Sequence, residues 1–206
     1  MYQYQGHSDT IAAIMTPSGI GWVGIVRLSG PEALGVLARI FVDKQKRPVQ
    51  GWKGFTVRYG WVARSEDEVA EMVDEVLVTV MRAPRSYTSE DVVEISCHGG
   101  AAAVRAVLEL CVTNGARLAE PGEFTKRAFL NGRIDLAQAE AVLDVISAGT
   151  EASLRLGAGQ LKGELSAELE AIRQRLLQML AAIEALLNFP EEDTDRRQED
   201  SLAADL

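Results

Sequence analysis

The sequence predicts an α+β fold that hands over to a wholly helical segment near residue 120. Three observations predict it. Between Thr10 and Cys97, runs that alternate apolar and polar residues, or are apolar throughout, recur at strand length. Two amphipathic stretches, after Pro31 and after Gly100, interrupt them at helical spacing. From Pro121 onward, apolar residues recur at steps of three and four.

With 47% hydrophobic and 25% charged residues over 206 positions, the composition suits one large or two modest cores. A formal charge of -9 argues against a free-standing nucleic-acid binder, which would gather Lys and Arg to displace phosphate counterions. Any RNA contact would then need a partner's surface. No apolar run is long enough to span a bilayer, and MYQYQGHSDT lacks the basic and apolar regions of a signal peptide. A cytoplasmic protein without a membrane segment is expected. Cys97 and Cys111 form neither a disulfide framework nor a CxxC pair and read as buried reduced thiols. His7 and His98 are too few to complete a zinc site with them.

In order, Ile11, Ala13 and Met15 alternate in a first strand, and Trp22 to Leu28 forms a second. Gly19, Gly21 and Gly24 between and within them spell GxGxxG, a dinucleotide fingerprint when a helix comes next. Gly24 instead leads into IVRLS, another β-type run, so the dinucleotide reading is rejected. A period of two puts Arg27 on a face with Val23 and Ile25, where a guanidinium needs a carboxylate partner or a ligand. Ser29, Gly30 and Pro31 start a helix whose apolar stripe is Leu34, Leu37, Ala38 and Phe41. Phe55, Val57, Tyr59 and Trp61 share one face of the next strand, and the acidic SEDEVAEMVDE reads as a solvated connection. Val76 to Met81 is apolar on both faces, which predicts a central strand covered on both sides.

The run SYTSEDVVEISCHGG holds Glu94 on a strand face with Val92 and Ser96. Its structural role would be a cross-strand ion pair with a residue such as Arg27. Its functional role would be to accept hydrogen bonds from the N–H groups of a pterin-like or purine-like ring. Cys97 and His98 point to opposite faces and make a poor nucleophile and base. A helix from Ala101 then buries Val104, Val107, Leu108 and Cys111 and ends before Gly115.

Pro121 to Ile146 reads as a helix, a tight break and a second helix, with Pro121 in a first turn and Gly132 at the left-handed end position. Asp135 caps the second helix and Gln138 closes a capping box. Lys126 and Arg133 flank the break. Arg133, confined between two capped helices, is a candidate anion contact; the alternative is an exposed loop arginine. After Gly149 and Thr150, apolar residues from Leu161 to Leu187 predict one helix over 151–188, about 57 Å long at 1.5 Å per residue. Its leucine stripe lacks a cover within this sequence, and residues 189–206 read as an acidic, partly helical end.

Taken together, TPSGIGWVGIVRLSG, SYTSEDVVEISCHGG, AEPGEFTKRAFLNGRIDLAQAEAVLDVI and LNFPEED resemble the N-terminal part of the MnmE (TrmE) family of tRNA modification GTPases. The resemblance spans almost the whole chain. It implies an N-terminal α+β domain over 1–118, a mixed sheet with helices like that of folate-binding aminomethyltransferases, which dimerises. It implies the first part of an all-α helical domain over 119–206, with the GTPase domain and the C-terminal helices absent. By motif matching, the contacts to a formyl-tetrahydrofolate such as 5-formyltetrahydrofolate fall on Arg27, Glu94 and Arg133, with no catalytic or metal residue in this chain. Ile20 and Trp22 depart from the small or basic residues common in the family's glycine loop.

In that family the full-length enzyme hydrolyses GTP with Mg2+ and K+. With the flavoprotein MnmG it adds a carboxymethylaminomethyl-type group to C5 of the wobble uridine of certain tRNAs. This chain carries no GxxxxGK[ST] phosphate loop and is not expected to be a GTPase alone. Two other classes stay open: a free-standing folate-dependent aminomethyltransferase, and a dimerisation scaffold without a ligand.

Overall fold

In a computed structural model, which describes residues 8–43, 48–66 and 69–188, these patterns resolve into strands and helices in two compact units. The first unit contains, in order, β1 (Ile11–Ile14), β2 (Val23–Ser29), α1 (Ala33–Ile40), β3 (Phe41–Asp43), β4 (Thr56–Glu66) and β5 (Val69–Met81). It continues with β6 (Val92–His98), α2 (Ala101–Thr113), β7 (Arg117–Leu118) and α3 (Glu123–Leu130). The second contains α4 (Leu136–Ser147), α5 (Glu151–Leu161) and α6 (Glu164–Asn188). An α+β unit precedes a helical one, as the sequence predicts.

The strands form one mixed sheet in the order β3-β4-β5-β6-β2-β1-β7, antiparallel throughout except for the short β1–β7 pair. Alternation along the strands sends Val26, Leu28, Val76, Val78, Val80, Val93, Ile95 and Cys97 into one core. The stripe of α1 (Leu34, Val36, Leu37, Ile40) and that of α2 (Val104, Val107, Leu110, Cys111) cover it. Each of these larger side chains contributes about 1.5–3 kcal/mol by leaving water. Phe41, expected on the α1 stripe, instead opens β3 and packs edge-on against Trp52.

The other sheet face stays open over much of its area. Val57, Tyr59 and Leu77 are about half exposed, at 59%, 47% and 49%. The apolar run of β5 is therefore covered on one side, not two; an apolar run reads the same in sequence whether one face or both are packed. The acidic SEDEVAEMVDE is also mainly strand, because β4 and β5 form a long antiparallel hairpin with only residues 67–68 of it outside the described residues. Its carboxylates are interspersed among apolar residues without a clear period of two, so a solvated strand looks like a solvated connection. Phe55 precedes β4 with a left-handed φ of 58°.

Pro121 lies before the helix rather than in its first turn. Gly122, at a φ of 74°, is the N-cap of α3. The capping box predicted at Asp135 forms, with Asp135 accepting from Gln138 N at 2.9 Å, and Thr150, predicted as an N-cap, accepts from Ser153 N at 3.1 Å in a second box. The single helix expected over 151–188 is broken at Gly163, whose φ of 89° ends α5 and lets α6 begin. The leucine stripe of α6 is exposed, with Leu165 at 40% and Leu176 at 60%. The acidic end expected over 189–206 lies outside the described residues. The compact division falls between Ile134 and Asp135, whereas the family resemblance implies a boundary after residue 118. The difference has a cause: ion pairs through Arg117 and Arg127 bind α3 to the sheet unit.

Of the glycines of the rejected fingerprint, Gly24 has a packing role. A Cβ on Gly24 would collide with Cγ2 of Val104, so the glycine lets α2 close on β2. Gly24→Ala is expected to lower stability by about 1–3 kcal/mol, read as a lower denaturant midpoint with an unchanged slope.

Candidate functional site

Register decides the first half of the site. Arg27 on β2 and Glu94 on β6 stand directly opposite each other in the antiparallel ladder. Arg27 Nε and one Nη donate to Glu94 Oε1 at 2.8 and 2.6 Å, with the two side chains 18% and 23% exposed. The structural role foreseen for Glu94 is thus realised. Arg27 lies on the face opposite Val26 and Leu28, away from the main core. Both hydrogen bonds converge on Oε1, and among the described residues Oε2 accepts none.

The second half comes from α3 and the segment before β6. The guanidinium carbon of Arg27 lies 5.2 Å from the centre of the Tyr87 ring and 5.6 Å from that of Phe124. That of Arg133 lies 5.1 Å from the same Tyr87 ring. Arg27 and Arg133 therefore both lie against Tyr87, which sequence patterning does not single out, and Glu94 joins them through its ion pair with Arg27. Arg133 is fixed by the end of α3: its N–H donates to Ala128 O and that of Gly132 to Phe129 O, both at 2.9 Å, with Gly132 at a φ of 71°. This is the paired hydrogen-bond ending that a left-handed glycine allows. Arg133 is exposed and available to a ligand. Lys126 is also exposed and makes no such contact.

Two hydrogen bonds hold the Tyr87 segment to α3. The Tyr87 and Thr125 hydroxyls are 2.9 Å apart, and Asn131 Nδ2 donates to Thr88 O at 2.6 Å. Beneath them lies Arg127, fully buried, another residue that patterning passes over. Its Nη groups donate to Asp9 O at 3.0 Å, Asp9 Oδ1 at 2.8 Å, Glu123 Oε1 at 3.0 Å and both Glu90 carboxylate oxygens at 3.3 Å. Arg117 joins the cluster, donating to Asp9 Oδ2 and Glu123 Oε1 at 2.6 and 2.7 Å. Hydrogen bonds from Arg117, then from the Glu120 N–H and Arg127, outweigh burial and pull the Glu123 carboxyl down to about 2. Burial alone would raise Asp9, but Arg117 and Arg127 hold it below its ordinary value.

Elsewhere, Cys97 points inward with its thiol 3.4 Å from Gly24 O, and burial pushes it up to about 11. His98 points outward, its Nδ1 2.6 Å from Asp74 Oδ1, and that hydrogen bond raises its pKa. The two do not form a nucleophile and base. A separate cavity of about 600 Å³ lies beside the glycine loop, lined in part by Thr16, Ser18, Gly21, Gly99 and Arg105. None of Arg27, Glu94 and Arg133 lines it. The Tyr87 cluster therefore offers a partly free carboxylate, a half-buried aromatic ring flanked by two arginines, and an exposed guanidinium. That set suits a flat heteroaromatic ring with N–H donors that also carries an anionic group.

Residues 10–133 match the family model described as GTP-binding protein TrmE N-terminus, and residues 136–206 match that of the MnmE helical domain. The chain belongs to the MnmE (TrmE) family. It is 56% identical over 187 residues to the tRNA modification GTPase MnmE of Carboxydothermus hydrogenoformans, covering 91% of this chain and 40% of that protein. It is 50% identical over 196 residues to the one from Symbiobacterium thermophilum, covering 95% of this chain and 42% of the relative. Against the Bacillus velezensis protein the identity is 49% over 185 residues, with 90% and 40% covered. The chain spans about two fifths of the length of these curated relatives.

A double-mutant cycle of Arg27→Ala and Glu94→Ala, read by chemical denaturation, is expected to give a coupling of about 1–2 kcal/mol, between surface and fully buried pairs. For Glu123 the sign is set by its lowered carboxyl. Its contribution is complete above the ordinary value of 4.5 and is lost as pH falls toward about 2. Glu123→Gln is expected to be roughly 3 kcal/mol less stable than wild type near neutrality, with the gap closing below pH 4.5.

Proposed function

We propose that this chain is the folate-binding and dimerising part of a tRNA modification GTPase, in which Arg27, Glu94 and Arg133 hold a formyl-tetrahydrofolate. The stacking of Arg27 and Arg133 on the Tyr87 ring, with Glu94 paired to Arg27, carries the reading. Glu94 Oε2 is an acceptor for the pterin's N–H donors, the half-buried Tyr87 borders the ring's place, and the arginines suit the formyl oxygen or the glutamyl carboxylates. The folate supplies the one-carbon unit. Arg27 also orients Glu94 through their shared Oε1 contact.

The relatives are named tRNA modification GTPases, and this chain covers 40–42% of their length. On our reading the full-length protein hydrolyses GTP with Mg2+ and K+ and acts with the flavoprotein MnmG in the cytoplasm. Together they add a carboxymethylaminomethyl-type group at C5 of the wobble uridine. The present sequence has no phosphate loop, so its own part is to hold the folate and the partner copy. An acidic chain of net charge -9 fits a role in which tRNA is gripped chiefly elsewhere in the complex.

Calorimetric titration with 5-formyltetrahydrofolate tests the site. Wild type is expected to bind, and Glu94→Ala to bind at least about tenfold more weakly, the loss of one charge-assisted contact. Equal behaviour of the two would remove Glu94 from the site. Methylene transfer by the chain alone would favour a free-standing aminomethyltransferase instead.

A further inference from the structure

The Tyr87 cluster joins two kinds of element. Arg27 and Glu94 sit in the sheet, where the ladder fixes them. Tyr87 precedes β6 in an irregular segment, while Phe124 and Arg133 belong to α3 and its ending. Something must set α3 and that segment against β2, because a contact near 5 Å between a guanidinium and a ring does not survive a helix shift of an ångström or two unchanged.

Arg127 occupies the point where these parts meet. It lies three residues beyond Phe124 and six before Arg133, and it is fully buried. Its Nη groups reach Glu90, three residues after Tyr87. Glu90 in turn accepts from the Ser29 hydroxyl at 2.6 Å, and Ser29 stands two residues after Arg27 on β2. The same hydroxyl lies 2.6 Å from the Thr88 hydroxyl, and Thr88 O accepts from Asn131 of α3's C-cap. A second arm of Arg127 runs to Asp9 just before β1. One planar guanidinium therefore spans α3, the Tyr87 segment and the ends of two strands, and its fork leaves few geometries open.

We infer that Arg127 is a positioning residue for the ligand site: through Glu90 and Ser29 it sets the distance from Tyr87 to Arg27 and Arg133 without touching the ligand. The inference rests on the folate reading of that site. A lysine at 127 keeps the charge and loses the fork. A methionine with Glu90→Gln keeps the charge balance and the Ser29 acceptor but removes the link.

The test uses the full 206-residue chain as wild type, Arg127→Lys, Arg127→Met and Arg127→Met/Glu90→Gln. Three readouts are taken: thermal midpoint, affinity for 5-formyltetrahydrofolate, and the Nε–H resonance of Arg133, identified by its response to Tyr87→Leu. Arg127→Met is expected to melt far lower than wild type, because it leaves the largely buried Glu90 without a cation and takes one of two arginines from Asp9 and Glu123. The lysine and double variants are expected to recover most of that loss. They should still bind folate about tenfold to a hundredfold more weakly, the range for a site misplaced from a distance, and the Arg133 resonance should leave its ring-shifted position. Recovered melting with wild-type affinity, or an unmoved Arg133 resonance, overturns the inference. So does failure of every position-127 variant to fold, which would make Arg127 a determinant of the fold alone. If wild type itself binds no folate, the functional reading fails separately, and the Arg133 resonance alone decides the inference: moved supports it, unmoved overturns it.

Discussion

A guanidinium that leaves water must take its replacement solvation with it, and the first unit is arranged around that constraint at Arg127. The carboxylates that meet it come from three separate stretches: Asp9 ahead of β1, Glu90 ahead of β6 and Glu123 one turn back in α3. None of the three is fixed by the regular ladder of the sheet. Their convergence is possible only when α3 lies where it does, so the electrostatics and the docking of the helix are one requirement. The compact division, which falls after Ile134, keeps α3 in the same unit as the carboxylates that Arg127 binds.

Within this frame the candidate site divides its labour. The sheet supplies a paired acid and base in fixed register, and the less regular parts supply an aromatic ring and a second arginine. A ladder position is hard to alter without flipping a whole strand, whereas a helix ending is set by one left-handed glycine. The rigid half therefore holds the carboxylate that reads donors, and the other half holds groups whose distances depend on how α3 is docked.

Much of this is legible in the sequence, and the rest escapes it for identifiable reasons. Period-two patterning locates β2 and β6 and puts Arg27 and Glu94 on faces where they can meet, and the residues around Asp135 and Thr150 announce two helix starts. A left-handed glycine after α3 is readable at Gly132, yet the equivalent at Gly163 is hidden because the leucine spacing runs through it without a change of step. The hairpin of β4 and β5 is hidden by its charges, since a mixture of acidic and apolar residues describes a half-solvated strand as well as a loop. Arg127 escapes for a deeper reason. A basic residue between Phe124 and Ala128 looks like an ordinary helix position, and only three-dimensional assembly reveals acceptors drawn from residues 9, 90 and 123.

The two thiols make this chain chemically quiet. Cys97 and Cys111 are buried, and burial pushes their titration up to about 11 and about 12, far above the pH at which thiolate-seeking reagents are used. A reporter thiol introduced on the exposed ending of α3 would thus be labelled against a silent background, with neither native cysteine removed. The core that keeps these residues out of reach makes distances around Tyr87 accessible to fluorescence and spin-label spectroscopy in an otherwise natural sequence.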